Sequence, residues 1–149
     1  MVDLILWRHA EAVDGTPDHA RPLTAKGIKQ AKKVAAFLDQ HLPEERRILV
    51  SPATRTQQTA TALTSHFTLA PTIAPGAAAE DVLHVARWPH AGGTVLIVGH
   101  QPTLGEVAAR LLGCGRAALS IKKGALWWFS ARESTAEVTL RLVITPDFL

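Results

Sequence analysis

Apolar residues first gather at Val2 to Trp7, a compact run with β-branched members that gives way to the polar, proline-containing stretch Glu11 to Pro22. This predicts a strand followed by a long loop. Thr24 stands where a helix cap is wanted, and Ile28, Ala31, Val34, Ala35, Leu38 and Leu42 then recur at intervals of three and four before Pro43. The spacing predicts a helix with one apolar face, closed by the proline. Ile48 to Val50 is a short buried-strand run, and Ser51-Pro52 is a favourable cap and first-turn pair for a helix reaching to about Phe67. A further unit repeats the alternation: helix over Glu80 to Trp88, strand over Thr94 to Val98, helix over Pro102 to Leu112. Beyond it, Ala117 to Ile121, Gly124 to Ser130 and Val138 to Ile144 are β-rich and separated by short turns. These are expected as antiparallel strands at one edge.

Alternation of this kind predicts an α/β fold: a three-layer αβα sandwich with a mostly parallel central sheet and antiparallel C-terminal strands. The 149 residues suit one domain spanning 1–149. Hydrophobic residues make up 47% and charged residues 19%, and no apolar run approaches the ~20 residues of a membrane span, so a soluble, folded chain without a membrane anchor is expected. Met1 to Trp7 has no basic leader or small-residue cleavage site and reads as a first strand, which makes the cytoplasm the expected compartment. Cys114 is the only cysteine, so an internal disulfide and a thiolate-rich metal site are excluded, and it reads as a small packing residue. Trp7, Trp88, Trp127 and Trp128 fall inside strand or helix runs and read as packing residues too.

Charge narrows the partners slightly. The formal net charge of +3 favours anionic ones. No run of five like charges and no basic stretch interleaved with aromatics appears, so nucleic acid is not expected. His19, His41, His66, His84 and His90 lack the His-x-x-x-His spacing of metal ligands, and neither a metal nor a cofactor is expected.

Open parallel sheets place ligands beyond the carboxyl ends of their strands. That rule selects Trp7-Arg8-His9-Ala10, Ser51-Pro52-Ala53-Thr54-Arg55 and Val98-Gly99-His100-Gln101-Pro102, each directly after an expected strand. If the strands are parallel neighbours, two arginines and two histidines converge on one rim. Arg8 and Arg55 can each donate two parallel bonds to a phosphate and stay charged at any working pH. A helix opening at Pro52 would add free N–H groups and its dipole. One imidazole can attack phosphorus while the other donates to its oxygens, since an ordinary pKa of ~6.5 leaves both roles open.

Arg8-His9-Ala10, Arg21-Pro22-Leu23-Thr24-x-x-Gly27, Ser51-Pro52-x-x-Arg55-x-x-x-Thr59-Ala60 and Gly99-His100-Gln101-Pro102 together resemble the histidine phosphatase superfamily, the phosphoglycerate-mutase-like fold. A lone Arg-His pair carries no weight, but four segments in this order over nearly the whole chain form a specific signal. The short length and Asp18-x-x-Arg21-Pro22-Leu23-Thr24 look most like the SixA-type phosphohistidine phosphatases. The resemblance implies that His9 accepts the phosphoryl group, that Arg8, Arg55 and His100 complete the phosphate pocket, and that Arg21 adds a further positive group. Two departures stand out. Ala10 replaces a common glycine, as in other SixA-like sequences, and the glutamate with which mutases and ester phosphatases protonate an alcohol has no counterpart in Pro71 to Gly76. Glu80 and Asp81 are the nearest carboxylates and are expected to cap a helix, with a catalytic part as the lesser reading.

An alkoxide leaves far less readily than an imidazole, so a pocket without a dedicated acid suits N–P cleavage. The expectation is a phosphohydrolase that dephosphorylates a phosphohistidine-bearing phosphocarrier or phosphorelay protein and releases inorganic phosphate. A phosphatase of small phosphate esters and a non-catalytic phosphate-binding or phosphoprotein-binding module stay open beside it.

Overall fold

The computed structural model describes residues 1–115 and 117–149. Its strands are β1 (Val2–Arg8), β2 (Arg46–Val50), β3 (Thr68–Leu69), β4 (Gly93–Gly99), β5 (Leu126–Ala131) and β6 (Val138–Ile144). Its α-helices are α1 (Ala25–His41), α2 (Thr54–Thr61), α3 (Ala79–Ala86) and α4 (Thr103–Leu111). The six described strands form one sheet in the order β3-β2-β4-β1-β5-β6. The pairs β3–β2, β2–β4 and β4–β1 are parallel, while β1–β5 and β5–β6 are antiparallel.

Strand side chains alternate between faces, and here both faces are apolar. Leu4 and Leu6 of β1 and Val95 and Ile97 of β4 join the residues of α3 and α4 in one core. Ile5, Trp7, Leu96 and Val98 join Val34, Ala35, Leu38 and Ala60 of α1 and α2 in the other. This makes the three layers, and it explains why Leu4 to Trp7 of β1 and Val95 to Val98 of β4 read as unbroken apolar runs. Burying each large side chain of this kind contributes about 1.5–3 kcal/mol, so the central strands carry much of the core's stabilisation. Their ends are where the site is hung.

Thr24 caps α1 as its sequence position implies, its Oγ1 accepting from the Gly27 N–H at 2.9 Å and donating to the Glu11 carboxylate at 2.8 Å. A Cβ on Gly27 would lie 2.0 Å from the Glu11 carbonyl oxygen. The glycine thus lets the helix start press against the loop that follows β1.

Several elements differ from the sequence expectation. Ile28 is 44% exposed, because the inward stripe of α1 is Gly27, Ala31, Val34, Ala35 and Leu38. α2 ends at Thr61, not near Phe67, and the chain doubles back to lay the short β3, absent from the pattern, along β2. Nor does Ser51-Pro52 open that helix: it begins at Thr54 after Ala53, with no side-chain cap, and the Ser51 hydroxyl is engaged elsewhere. Ala117 to Ile121 is not a strand. Its backbone serves other groups instead, Leu119 N–H donating to Gly105 and the Leu119 and Ile121 carbonyls accepting from Gln101 and Arg8. Cys114 is exposed just beyond α4, so it is not a packing residue. Among the described residues, no helix is long and apolar enough to cross a membrane.

Candidate active site

Parallel pairing sets Arg8 opposite Gly99 and Val50 opposite Val98, so β2, β4 and β1 end level, side by side. Each chain crosses from strand to loop at that rim, delivering Ser51, His100 and His9 to one place. His9 is held through its backbone: its N–H donates to Gly99 at 3.1 Å and its carbonyl accepts from Gly124 at 3.0 Å. The neighbouring Ala10 N–H donates to Thr59 Oγ1 of α2 at 3.1 Å, and Trp7 Nε1 donates to the Gly124 carbonyl at 3.1 Å. A ring anchored on both sides has little freedom to wander.

The ring's protonation follows from its neighbour. His9 Nδ1 lies 2.7 Å from the Ala10 carbonyl oxygen, which can only accept, so Nδ1 carries the hydrogen and Nε2 presents a lone pair. Burial, opposed by that carbonyl bond and reinforced by Arg55, Arg8 and Arg21, pushes the His9 pKa down to about 4. The imidazole is therefore neutral and nucleophilic at neutral pH. Its ring centroid lies 5.3 Å from that of His100.

His100 is 4% exposed, and burial, then the charges of His9 and Arg55, hold its pKa down to about 3. Its Nε2 lies 2.7 Å from Ser51 Oγ, which itself accepts from the Ala53 N–H at 3.4 Å. The serine oxygen keeps a second lone pair, so Ser51 can donate to Nε2 or accept from it, and the tautomer of His100 follows the direction of that bond. That is the missed duty of Ser51, and only its place beside a strand end hinted at it.

Arg8 donates from Nη1 to the Ile121 carbonyl at 2.8 Å. Arg55, also 4% exposed, donates to the Asp18 carbonyl at 2.8 Å and to the Asp18 carboxylate at 3.1 Å. Arg21 Nε meets the other oxygen of the same carboxylate at 3.0 Å, so Asp18 bridges the two arginines. Its hydrogen bond with Arg55 holds the Asp18 carboxyl below the usual range. The only clue to that bridge in the sequence is an acid three residues before Arg21.

Arg8, His9, Arg21, Arg55 and His100 all line one pocket of about 300 Å³, joined by Pro75, Gln101 and Lys123. Among the described residues, the buried polar side-chain atoms without a protein partner are Arg8 Nε, Arg55 Nε, His100 Nδ1 and, away from this pocket, Thr145 Oγ1. Two unpartnered guanidinium N–H donors and an unpartnered imidazole nitrogen at one pocket suit a small anion of several oxygens. Glu80 and Asp81 do not reach it. Glu80 accepts from Arg110 at 2.8 Å, and Asp81 accepts from the Ala78 N–H at 2.9 Å at the start of α3. Asp14 is the carboxylate among the pocket-lining residues, fully exposed and 4.0 Å from Arg21. Because α2 starts at Thr54, Pro52 supplies no helix terminus, and Arg55 stands in its first turn.

Residues 4–78 match the model of the histidine phosphatase superfamily, branch 1. An uncharacterized protein of Mycobacterium tuberculosis is 35% identical over 108 residues, 68% of this chain and 66% of that relative, so the chain spans just under two thirds of its length. A phosphohistidine phosphatase SixA homolog of Haemophilus influenzae is 35% identical over 128 residues, covering 75% of this chain and 78% of that protein. In three dimensions, the protein histidine phosphatase SixA complexed with tungstate superposes with a TM-score of 0.83 over 98% of both chains at 24% identity, a likeness of fold.

Proposed function

Starting from the fact that the chain belongs to the histidine phosphatase superfamily, we propose that it is a phosphohydrolase acting on phosphohistidine carried by a partner protein, through a phosphoryl group held transiently on His9. One observation carries the reading: His9 Nε2 is an unprotonated lone pair in a pocket that His9 shares with Arg8, Arg55 and His100.

The steps follow from these positions. Arg8 and Arg55 grip the phosphoryl oxygens and draw charge off phosphorus, while His100, with Ser51 donating to its Nε2, donates from Nδ1 to a third oxygen. His9 Nε2 attacks in line, and the bond to the departing imidazole nitrogen breaks. The departing ring takes a proton from solvent, and water then attacks the phosphoryl group on His9, releasing inorganic phosphate. Asp18 holds Arg55 and Arg21 together, and its lowered pKa makes it an ineffective proton donor at neutral pH. Glu80 is tied to Arg110, and Asp14, the carboxylate lining the pocket among the described residues, is fully exposed, so an alkoxide leaving group gains little acid support. The partner is a phosphocarrier or phosphorelay protein, and the reaction belongs in the cytoplasm.

Comparing initial rates on a phosphohistidine-bearing protein and on a panel of phosphate esters tests this. Phosphohistidine should be hydrolysed fastest, with ester rates rising steeply with leaving-group acidity. Alkyl esters cleaved as fast as phosphohistidine would replace the reading with a small-ester phosphatase.

A further inference from the structure

Lys26, Lys29, Lys32, Lys33, Lys122 and Lys123 are all the lysines of the chain. Five of them, all but Lys32, line one open groove of about 880 Å³ between α1, the 120–123 segment and the turn at Pro146–Phe148. Of the arginines, Arg8 alone lines this groove. Lys26, Lys29 and Lys33 recur at three and four and so share a side of α1, extending about 10 Å along it. All five are exposed, and among the described residues no carboxylate lies within 4.0 Å of any lysine. Only Glu11 and Asp147 among the lining residues are acidic. Arg8 and Lys123 line both this groove and the pocket around His9, so the two lie side by side.

We propose that this groove docks an acidic segment of the partner protein next to its phosphorylated histidine, an inference that rests on the phosphohistidine reading. The chemistry selects the occupant. Lysine ammonium groups are flexible point charges without the fork that reads a single phosphate, and five of them spread along a groove match a string of carboxylates. Nucleic acid fits less well, since single-strand grooves stack bases on several aromatics, and Phe148 is the one aromatic lining residue here. Because the groove shares Arg8 with the pocket, a segment lying in it carries its histidine to the pocket. Opposite charge gathers the partner at a distance, and the buried pocket does the chemistry.

The test uses three peptides with one central phosphohistidine, flanked by aspartate and glutamate, by asparagine and glutamine, or by lysine. The wild type at low ionic strength should show kcat/KM about 10-fold higher for acidic than for neutral flanks, and lower still for lysine flanks. The advantage should shrink in high salt and vanish in a Lys26→Ala/Lys29→Ala/Lys33→Ala variant, through KM with kcat retained, while Lys→Arg at the same positions keeps it. Equal rates on acidic and neutral flanks, or an advantage that survives the triple alanine variant, would refute the groove while leaving the phosphohistidine reading intact. If no phosphohistidine peptide is turned over, that reading fails, and binding of the labelled, unphosphorylated acidic peptide still decides the groove. Salt-sensitive binding lost in the triple variant upholds it. No binding, or tighter binding of a single-stranded oligonucleotide, rejects it.

Discussion

The pocket around His9 and the lysine groove share Arg8 and Lys123 and the same sign of charge, yet they are built on opposite principles. In the pocket, His9, Arg55 and His100 are 7%, 4% and 4% exposed, and each is held by a backbone or side-chain partner. In the groove, the lysines are exposed, with no carboxylate within ion-pair reach among the described residues. Burial makes position decisive, because a desolvated donor is strong at one distance and wasted at another. Exposure makes position nearly irrelevant and salt decisive. Mutations should therefore separate the two regions by the size and kind of their effects.

The sharpest separation comes from His9→Ala, which should lower turnover by about 10⁴-fold or more, as removal of a covalent nucleophile does. In the wild type, phosphate trapped on the enzyme should be acid-labile and alkali-stable. Label on a hydroxyl residue, or near-normal turnover in the variant, would remove His9 from the centre of the comparison.

Arg8→Ala and Arg55→Ala come next, with losses of about 10²-fold or more on every substrate and little dependence on salt. A loss confined to acidic protein substrates would place the arginine with the groove instead. The lysine variants should show the reverse signature, an effect of about 10-fold, restricted to acidic partners and erased by salt.

Protonation should mark the pocket as well. His9 and His100 are depressed to about 4 and about 3 when folded, against ~6.5 in the unfolded chain. Between ~6.5 and these values the unfolded chain binds more protons, so stability present above pH ~6.5 is lost as pH falls toward 4. Thermal unfolding followed over that range should decline less steeply in a His9→Ala/His100→Ala variant. Parallel curves would show that burial does not hold the rings neutral.

The smallest effect is expected at Glu80→Gln and Asp81→Asn, which should leave phosphohistidine hydrolysis within about 2-fold, since an imidazole departs without a strong acid. A large loss would reveal a proton donor that the distances of Glu80 and Asp81 from the pocket do not suggest.

How far the chain could be read in advance depended on what each residue answers to. Runs such as Val2 to Trp7 and Thr94 to Val98 are apolar on both faces because they lie between two helical layers, so their hydrophobicity alone predicted a buried parallel sheet. Strand ends in such a sheet collect ligands, which is why Arg8, His9, Arg55 and His100 could be picked out before any coordinates. Local capping was equally legible at Thr24. Other features were not. The 117–121 stretch has the composition of a strand, but its carbonyls serve Arg8 and Gln101, a choice made by whatever packs beside it. Asp18 joins two arginines from a loop whose path no periodicity sets. Lys26, Lys29, Lys33 and the distant pair Lys122 and Lys123 form no run of five like charges, so nothing in the sequence marked them as a group. Composition and periodicity are short-range properties, so the sequence by itself determined the layers and the residues at the strand ends. Charge acts through space, so only the tertiary structure could gather those lysines along one groove and seat a buried, neutral His9 in one pocket with two guanidinium groups.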